Sequence, residues 1–330
     1  MNNAAYTRHL ALSLATLLIF ALALYALSHL LREIHPAEVI TDLANVPLHR
    51  VLAALGCVAG SYTMLTLYDW LALRAIGRHL PYSHVAFTSF TAFGISHTAG
   101  LSSISGGSVR YRSYAAEGLT AFEIAGIMTL VAINFFLGVG TLLGSSLVIG
   151  AHGLSQALSL GVAGTRALGV TLLAVVFAYL MLTRFKRTPI HLGSKTIVLP
   201  SMSLSLRQLV VSSADLSFAA GSLYVLLPTG TGIHYLSFLG IYVIAMQAGV
   251  LSNVPGGLGV FESILLLMLP GAPSDAVLGA VLLYRIVYYV VPFSLALILL
   301  TGRETLHKHG QLRQLGGWIK RQLAGKSKPR

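Results

Sequence analysis

Leu251-Ser-Asn-Val-Pro-Gly-Gly-Leu-Gly-Val-Phe-Glu-Ser263 sets a Pro-Gly-Gly break between two apolar segments in the C-terminal third of the chain. Shifted back by 150 residues, Leu101-Ser-Ser-Ile-Ser-Gly-Gly-Ser-Val-Arg-Tyr-Arg-Ser113 lies under it without a gap. Leu101/Leu251, Ser102/Ser252, Gly106/Gly256, Gly107/Gly257 and Ser113/Ser263 are identical, and Ile104/Val254 and Tyr111/Phe261 are similar. A breaking motif used twice in matching surroundings marks an internal duplication.

The surroundings do match. Hydrophobic residues make up 55% of the 330 and charged residues 10%, the composition of a polytopic membrane protein rather than a water-soluble domain. Crossing a bilayer takes about 20 apolar residues, and the pattern predicts spans at 10–31, 52–80, 124–149, 165–183, 207–227 and 276–301. The first run is too long for a signal-peptide core and stays as a helix. Two less apolar segments, 85–120 and 235–270, carry the repeated motif.

Lysine and arginine orient the spans. Arg74 and Arg78 mark one loop as cytoplasmic; Arg184, Lys186, Arg187, Lys195 and Arg207 mark another, and the tail beyond Leu300 is strongly basic. The loops at 150–164 and 228–234 hold no Lys or Arg and face out. Both termini are then cytoplasmic. Parity makes 85–120 enter from and return to the cytoplasm, and 235–270 enter from and return to the outer face. Each follows a helix with one acid and a Leu-Pro: Asp69 stands twelve residues before Pro81, and Asp215 thirteen before Pro228. The expected fold is all-α: six spanning helices plus two re-entrant helical hairpins in an inverted-topology repeat. The membrane domain runs over 1–301, with repeats at 52–149 and 207–301, and 302–330 forms a basic amphipathic tail on the anionic inner leaflet.

The net charge of +12 sits in short loops and the tail, which fits a membrane surface and not nucleic acid. Twelve histidines and the lone Cys57 form no grouping of metal-ligand spacing, and no Gly-Lys-Ser/Thr phosphate loop exists, so neither metal nor cofactor is expected. Broken backbone inside a membrane must be buried or line a polar cavity. The breaks expected at Gly106-Gly107 and at Pro255-Gly256-Gly257 would aim helix N-termini inward, where a phosphate can be held. Gly56/Gly60 and Gly140/Gly144 read as packing glycines. Asp69, Asp215, Glu262 and Arg285 lie in apolar segments, and Arg110 and Arg112 lie on the returning arm of the first hairpin. Embedded charges cost about 2.5–3.5 kcal/mol each on an insertion scale, so they should face a cavity and pair, Glu262 with Arg285 first. Asn253 belongs to the same candidate set, and Asn134, Tyr284, Tyr288 and Tyr289 are candidates to line the cavity.

Asp215 through Pro228, the run from Leu251 to Glu262, and Gly106-Gly-Ser-Val-Arg-Tyr-Arg112 resemble the transmembrane flippase region of bacterial lysylphosphatidylglycerol synthetase, the multiple peptide resistance factor, and its stand-alone inner-membrane relatives. The resemblance covers about 40 to 310. It implies movement of phospholipid between leaflets of the inner membrane, with Asp69, Arg112 and Glu262 as headgroup contacts. The synthetase's soluble aminoacyl-transferase domain has no counterpart before Arg330, so this chain is expected to be no enzyme and not to make lysyl-lipid itself. The expected partner is a membrane phospholipid or other anionic lipid. A homodimer or a lipid-synthesis partner protein stays open, as do two other readings, a non-catalytic partner of an envelope-assembly machine and an intramembrane lipid-modifying enzyme.

Overall fold

The computed structural model describes residues 46–99, 102–185, 190–192, 195–197, 200–228, 232–252, 255–269 and 274–303. The span expected at 10–31, Asn253 and the basic tail beyond 303 lie outside them. Helices α1 (Leu48–Ala75), α2 (Tyr82–Ala99), α3 (Ser102–Ala116) and α4 (Ala121–Ile149) cover the stretch expected as the first repeat. A short α5 (Ala151–Leu158) and α6 (Gly161–Phe185) follow. The stretch expected as the second repeat holds α7 (Met202–Tyr224), α8 (Tyr235–Leu251), a 3-10 turn (Pro255–Gly257), α9 (Val260–Met268) and α10 (Ser274–Arg285). A π-helical turn (Ile286–Val290) carries α10 into further helix over 291–303. Two antiparallel three-residue strands, β1 (Ile190–Leu192) and β2 (Lys195–Ile197), connect α6 to α7.

Among the described residues four helices are long and apolar enough to cross a bilayer: Leu48–Ala75, Ala121–Ile149, Gly161–Phe185 and Ala276–Arg303. Helix α7 has 23 residues but is less apolar. Ser205, Gln208, Ser212, Asp215 and Ser222 lie on its buried side, so its polarity points into the protein. The loop expected at 150–164 is α5 and the start of α6, and the basic loop beyond 185 carries the β-ribbon.

Helices α1 and α7 pack antiparallel at the centre. Cys57 lies beside Gly221, Gly60 against the ring of Phe218, and Ser61 against Asp215, so one number rises as the other falls. A methyl at Gly60 would stand 3.0 Å from that ring, which explains the glycine, whereas Gly56 meets nothing within 4 Å and is no packing glycine. Gly140, Gly144 and Gly169 do interlock α4 with α6. A Cβ on Gly169 would come within 2.8 Å of the Gly144 carbonyl, the close backbone approach that small residues permit between apolar helices.

Each motif copy sits in a helical hairpin. Thr88 meets Ser113 at 2.6 Å, and a side chain at Gly106 would run into Ser96 and the Ala92 carbonyl, so α2 and α3 are antiparallel. Arg78, just before α2, reaches Glu123 at the start of α4 (Nε to Oε1, 2.7 Å), which puts the hairpin's entry and exit at one end of the bundle. Glu123 also closes a capping box with Thr120, satisfying free N–H groups that start α4 there. In the second hairpin Gly257 stacks on Gly249, and the Tyr242 and Phe261 rings meet edge to face.

The first arm of each hairpin also reaches across to the long helix of the other repeat. Gly94 of α2 would place a Cβ 3.0 Å from Ala296, and Gly240 of α8 would place one 2.8 Å from the Ser146 side chain of α4.

The expected break at Gly106-Gly107 is not there. Both glycines lie inside α3, and the chain leaves α2 for α3 between Ala99 and Ser102. What they provide is proximity: Gly106 admits α2, and a Cβ on Gly107 would stand 2.8 Å from Cε of Met128 on α4. At the second copy the break is real. Gly256, Gly257 and Gly259 have φ of 63°, 62° and 77°, a left-handed conformation that L side chains adopt at a cost.

Candidate functional site

Three carboxyl groups and two guanidiniums are gathered between the helices. Asp69 on α1 is fully buried and receives Arg110 in fork geometry, Nε to Oδ2 at 2.8 Å and Nη2 to Oδ1 at 2.9 Å. The Tyr114 hydroxyl donates to the same Oδ2 at 2.8 Å, and the Arg110 guanidinium lies 4.5 Å from the centre of the Phe93 ring. Arg110 and Tyr114 are four residues apart and therefore share a face of α3. A bidentate, desolvated pair of this kind holds both partners strongly, because breaking it strands a charge in apolar surroundings.

Arg285 is buried at the end of α10. Its Nε donates to Glu262 Oε1 at 2.6 Å, and its Nη1 donates to the Gly256 carbonyl at 2.9 Å. The pair expected from sequence is formed, and it includes the backbone freed by the break. It is also incomplete. Nη2 lies 2.5 Å from Oε1 without hydrogen-bond alignment, and Nη2 and Glu262 Oε2 are buried with no hydrogen-bond partner among the described residues.

Asp215 on α7 is of a third kind. It accepts from Ser61 Oγ at 2.5 Å and from the Tyr68 hydroxyl at 3.0 Å, and no cation pairs with it among the described residues. Ser61 Oγ lies 2.9 Å from the Tyr288 hydroxyl. Pro292 has no N–H, so the Tyr288 carbonyl four residues earlier is left without its helical donor and accepts from the Tyr62 hydroxyl at 3.4 Å. The π turn widens the helix here, with the Val291 N–H reaching back to Ile286, and it presents Tyr288 and Tyr289 to the same interior.

Aromatic rings join these centres. From Arg110 the contacts run to Phe93, to His97 (5.6 Å between centroids), to Tyr289 (6.3 Å), and to Arg285, which lies 5.8 Å from that ring. The guanidiniums of Arg110 and Arg285 thus face the two ends of one aromatic wall. Tyr62, Tyr284 and Tyr288 thicken it, with Tyr284 and Tyr288 stacked at 5.3 Å and His97 stacked on Tyr288 at 5.9 Å.

Of the sequence candidates, Asp69 with Arg110, Asp215, and Glu262 with Arg285 and Gly256 belong to this assembly. Gly257 is buried beside it, and Pro255 opens the 3-10 turn. Arg112 is exposed. Residues two apart on a helix point about 200° away from each other, so α3 cannot send Arg110 and Arg112 to one place. Gly106 and Gly107 contribute packing and no broken backbone. Asn134 on α4 is buried and has no hydrogen-bond partner among the described residues, so it takes no part in the charged assembly.

Ser61, Tyr62, Tyr68, Phe93, His97 and Tyr114 were not singled out from sequence. Helical spacing carried a signal for three of them: positions 61, 62, 68 and 69 of α1 fall on one face, two turns apart.

A Ser-His-carboxylate grouping also exists at the hairpin's entry. Ser113 Oγ lies 3.1 Å from His84 Nε2, and Glu117 Oε1 lies 3.6 Å from Nδ1. Arg303 Nη2, which can only donate, lies 3.3 Å from that Nδ1. Arg303 and Glu117 thus compete for the same Nδ1, so Glu117 does not hold that nitrogen alone as the carboxylate of a catalytic triad does. Ser113 also lies inside a helix, where backbone N–H groups are already engaged. The grouping ties α2, α3 and the last helix together.

The model of the lysylphosphatidylglycerol synthase TM region matches residues 10–296. An uncharacterized protein of Synechocystis is 34% identical over 303 residues, 91% of this chain and 93% of its own. An inner membrane protein of Escherichia coli, YbhN, is 32% identical over 79% of this chain and 81% of its own. A phosphatidylglycerol lysyltransferase of Staphylococcus haemolyticus is 25% identical over 86% of this chain, which spans 33% of that longer protein. The chain is a membrane protein and belongs to the family of the lysylphosphatidylglycerol synthase TM region.

Proposed function

We propose that the chain moves a phospholipid, or a related lipid with a phosphate headgroup, between the leaflets of the bacterial inner membrane and catalyses no covalent step. The observation that carries this reading is the placement of Arg110 and Arg285. One buried guanidinium from each repeat, each held by a carboxylate, lies at either end of one aromatic wall. A guanidinium that forks a carboxylate presents the geometry a phosphate needs, so a lipid phosphate can take the carboxylate's place. Glu262 Oε2 and Arg285 Nη2 retain unused hydrogen-bonding capacity for that exchange.

In this reading the two hairpins are re-entrant and dip from opposite faces. The Arg78–Glu123 pair at the mouth of the first supports its return to the side it entered. The headgroup passes between the repeats while the acyl chains stay in lipid. In vesicles reconstituted with the purified chain, labelled phospholipid should equilibrate between leaflets faster than in protein-free vesicles. Arg110→Gln and Arg285→Gln should each abolish the difference while leaving the protein folded, and Arg112→Gln should leave it intact. Equal transfer by the wild type and both buried-arginine variants would overturn the reading.

A further inference from the structure

Among the described residues the buried charges do not balance. Asp69, Asp215 and Glu262 make three carboxyls against Arg110 and Arg285, and both guanidiniums are already engaged, one by Asp69 and one by Glu262 and the Gly256 carbonyl. The groups that interact with Asp215 are Ser61, Tyr62 and Tyr68 on α1, with Asp69 next in the chain, Tyr242 on α8, and Tyr288 in the π turn. None is a cation. An ionised Asp215 would leave one net negative charge in an interior without a partner, the costliest state for a membrane protein.

We propose that Asp215 stores a proton in this state, and that each monoanionic lipid carried by the chain moves together with one proton. This rests on the lipid-transfer reading and names its substrate class and its coupling. The count follows from neutrality. With the site empty, three carboxyls and two guanidiniums are neutral when one carboxyl is protonated. A phosphodiester that displaces a carboxylate from its arginine adds one anion, and neutrality returns when the displaced carboxylate takes up a proton. Loaded and empty states then differ by one lipid and one proton. A headgroup that brings its own ammonium needs no proton.

Geometry makes Asp215 the store. Its carboxyl meets only hydroxyls, and Ser61 can accept from it or donate to it, so Asp215 keeps a hydrogen-bond partner in both protonation states. Tyr288 stacks against His97, and Tyr62 lies 3.5 Å from His97 Nδ1. His97 stands two residues before the bend of the first hairpin, so the chain of hydroxyls ends at the element that must open to admit a lipid. The proton leaves Asp215 oxygen for the displaced carboxylate, and Asp215 is reprotonated from water when the hairpin opens. No other bond changes.

The test uses the full chain in vesicles holding labelled phosphatidylglycerol or labelled phosphatidylcholine, with one pH unit across the membrane. One proton per lipid predicts about a tenfold excess of phosphatidylglycerol in the leaflet facing the less acidic side, and an even distribution of phosphatidylcholine. Asp215→Asn should slow phosphatidylglycerol transfer at least about tenfold, as loss of an internal proton donor does, without changing the final asymmetry. Infrared spectra should show a protonated-carboxyl C=O band in the wild type that is missing from Asp215→Asn. Even distribution of phosphatidylglycerol under the gradient overturns the coupling, as does the same band in both proteins. Accumulation driven by a sodium gradient instead would replace the proton with a metal cation. Absence of protein-dependent transfer for either lipid would instead defeat the underlying lipid-transfer reading, so the two failures are distinguishable.

Discussion

At the residue scale, the fold is most exposed where charge or backbone has no substitute. Arg110→Gln strands Asp69 in a fully buried position and should cost about 3–5 kcal/mol, the range for breaking a buried pair from one side. Asp69→Asn together with Arg110→Gln should recover much of that loss, because Tyr114 still satisfies the amide oxygen. A double-mutant cycle on thermal unfolding in detergent measures the coupling, and simple additivity would mean the two do not act as partners. Glycines at the second break offer a finer comparison. Gly257→Ala combines a φ of 62° with a Cβ 2.9 Å from the Gly249 Cα, whereas Gly259→Ala has a φ of 77° and open space. The first should lose about 2–4 kcal/mol from strain and overpacking, and the second about 1–2 kcal/mol from strain alone. Equal losses at the two positions would show that the approach of α8 to the turn contributes nothing.

At the element scale, the hairpins are where sidedness can be measured. Single cysteines at Ser83 and Glu123 should react with an impermeant label from one face only, and cysteines at Gly232 and Ser274 from the other. Labelling of Ser83 and Glu123 from opposite faces would remove the re-entrant first hairpin. Much of this architecture was legible in the sequence, because apolar length and the placement of Lys and Arg are physical requirements of a bilayer. The spans expected at 124–149 and 165–183 fall within α4 and α6, and the one expected at 52–80 overlaps α1, which starts and ends a turn earlier. Duplication of the Gly-Gly motif identified the two hairpins but misled about the first, since a glycine pair permits a break and permits close packing equally well. Nothing within Ser105-Gly-Gly-Ser108 distinguishes the two; the neighbours Ser96, Ala92 and Met128 do. Arg110 and Arg112 needed a helix phase that the motif alone did not fix. The π turn was not legible either, because Pro292 signals a disturbed helix without saying that its freed carbonyl finds Tyr62.

At the scale of the whole molecule, the two halves of the described bundle are joined by the antiparallel crossing of α1 and α7 and by the hairpin arms that reach over to the opposite long helix. Gly94 rests on Ala296, and Gly240 rests on Ser146. This exchange of arms has a consequence for biogenesis. The second contact can form as soon as α8 leaves the ribosome, since α4 is already in place. The first must wait for about 200 further residues, which at ordinary rates of synthesis is on the order of 10–40 s. During that interval the first hairpin is without its seat on the last helix, and Arg303, which lies over the Phe87 ring, has not been made. A chain halted after α6 should therefore be recognised as unfinished and degraded, and supplying residues 200–330 as a separate polypeptide should rescue it. The helix over 291–303 is thus the one that fastens a hairpin made long before it, so the order of synthesis is the reverse of the order in which that part of the structure is locked.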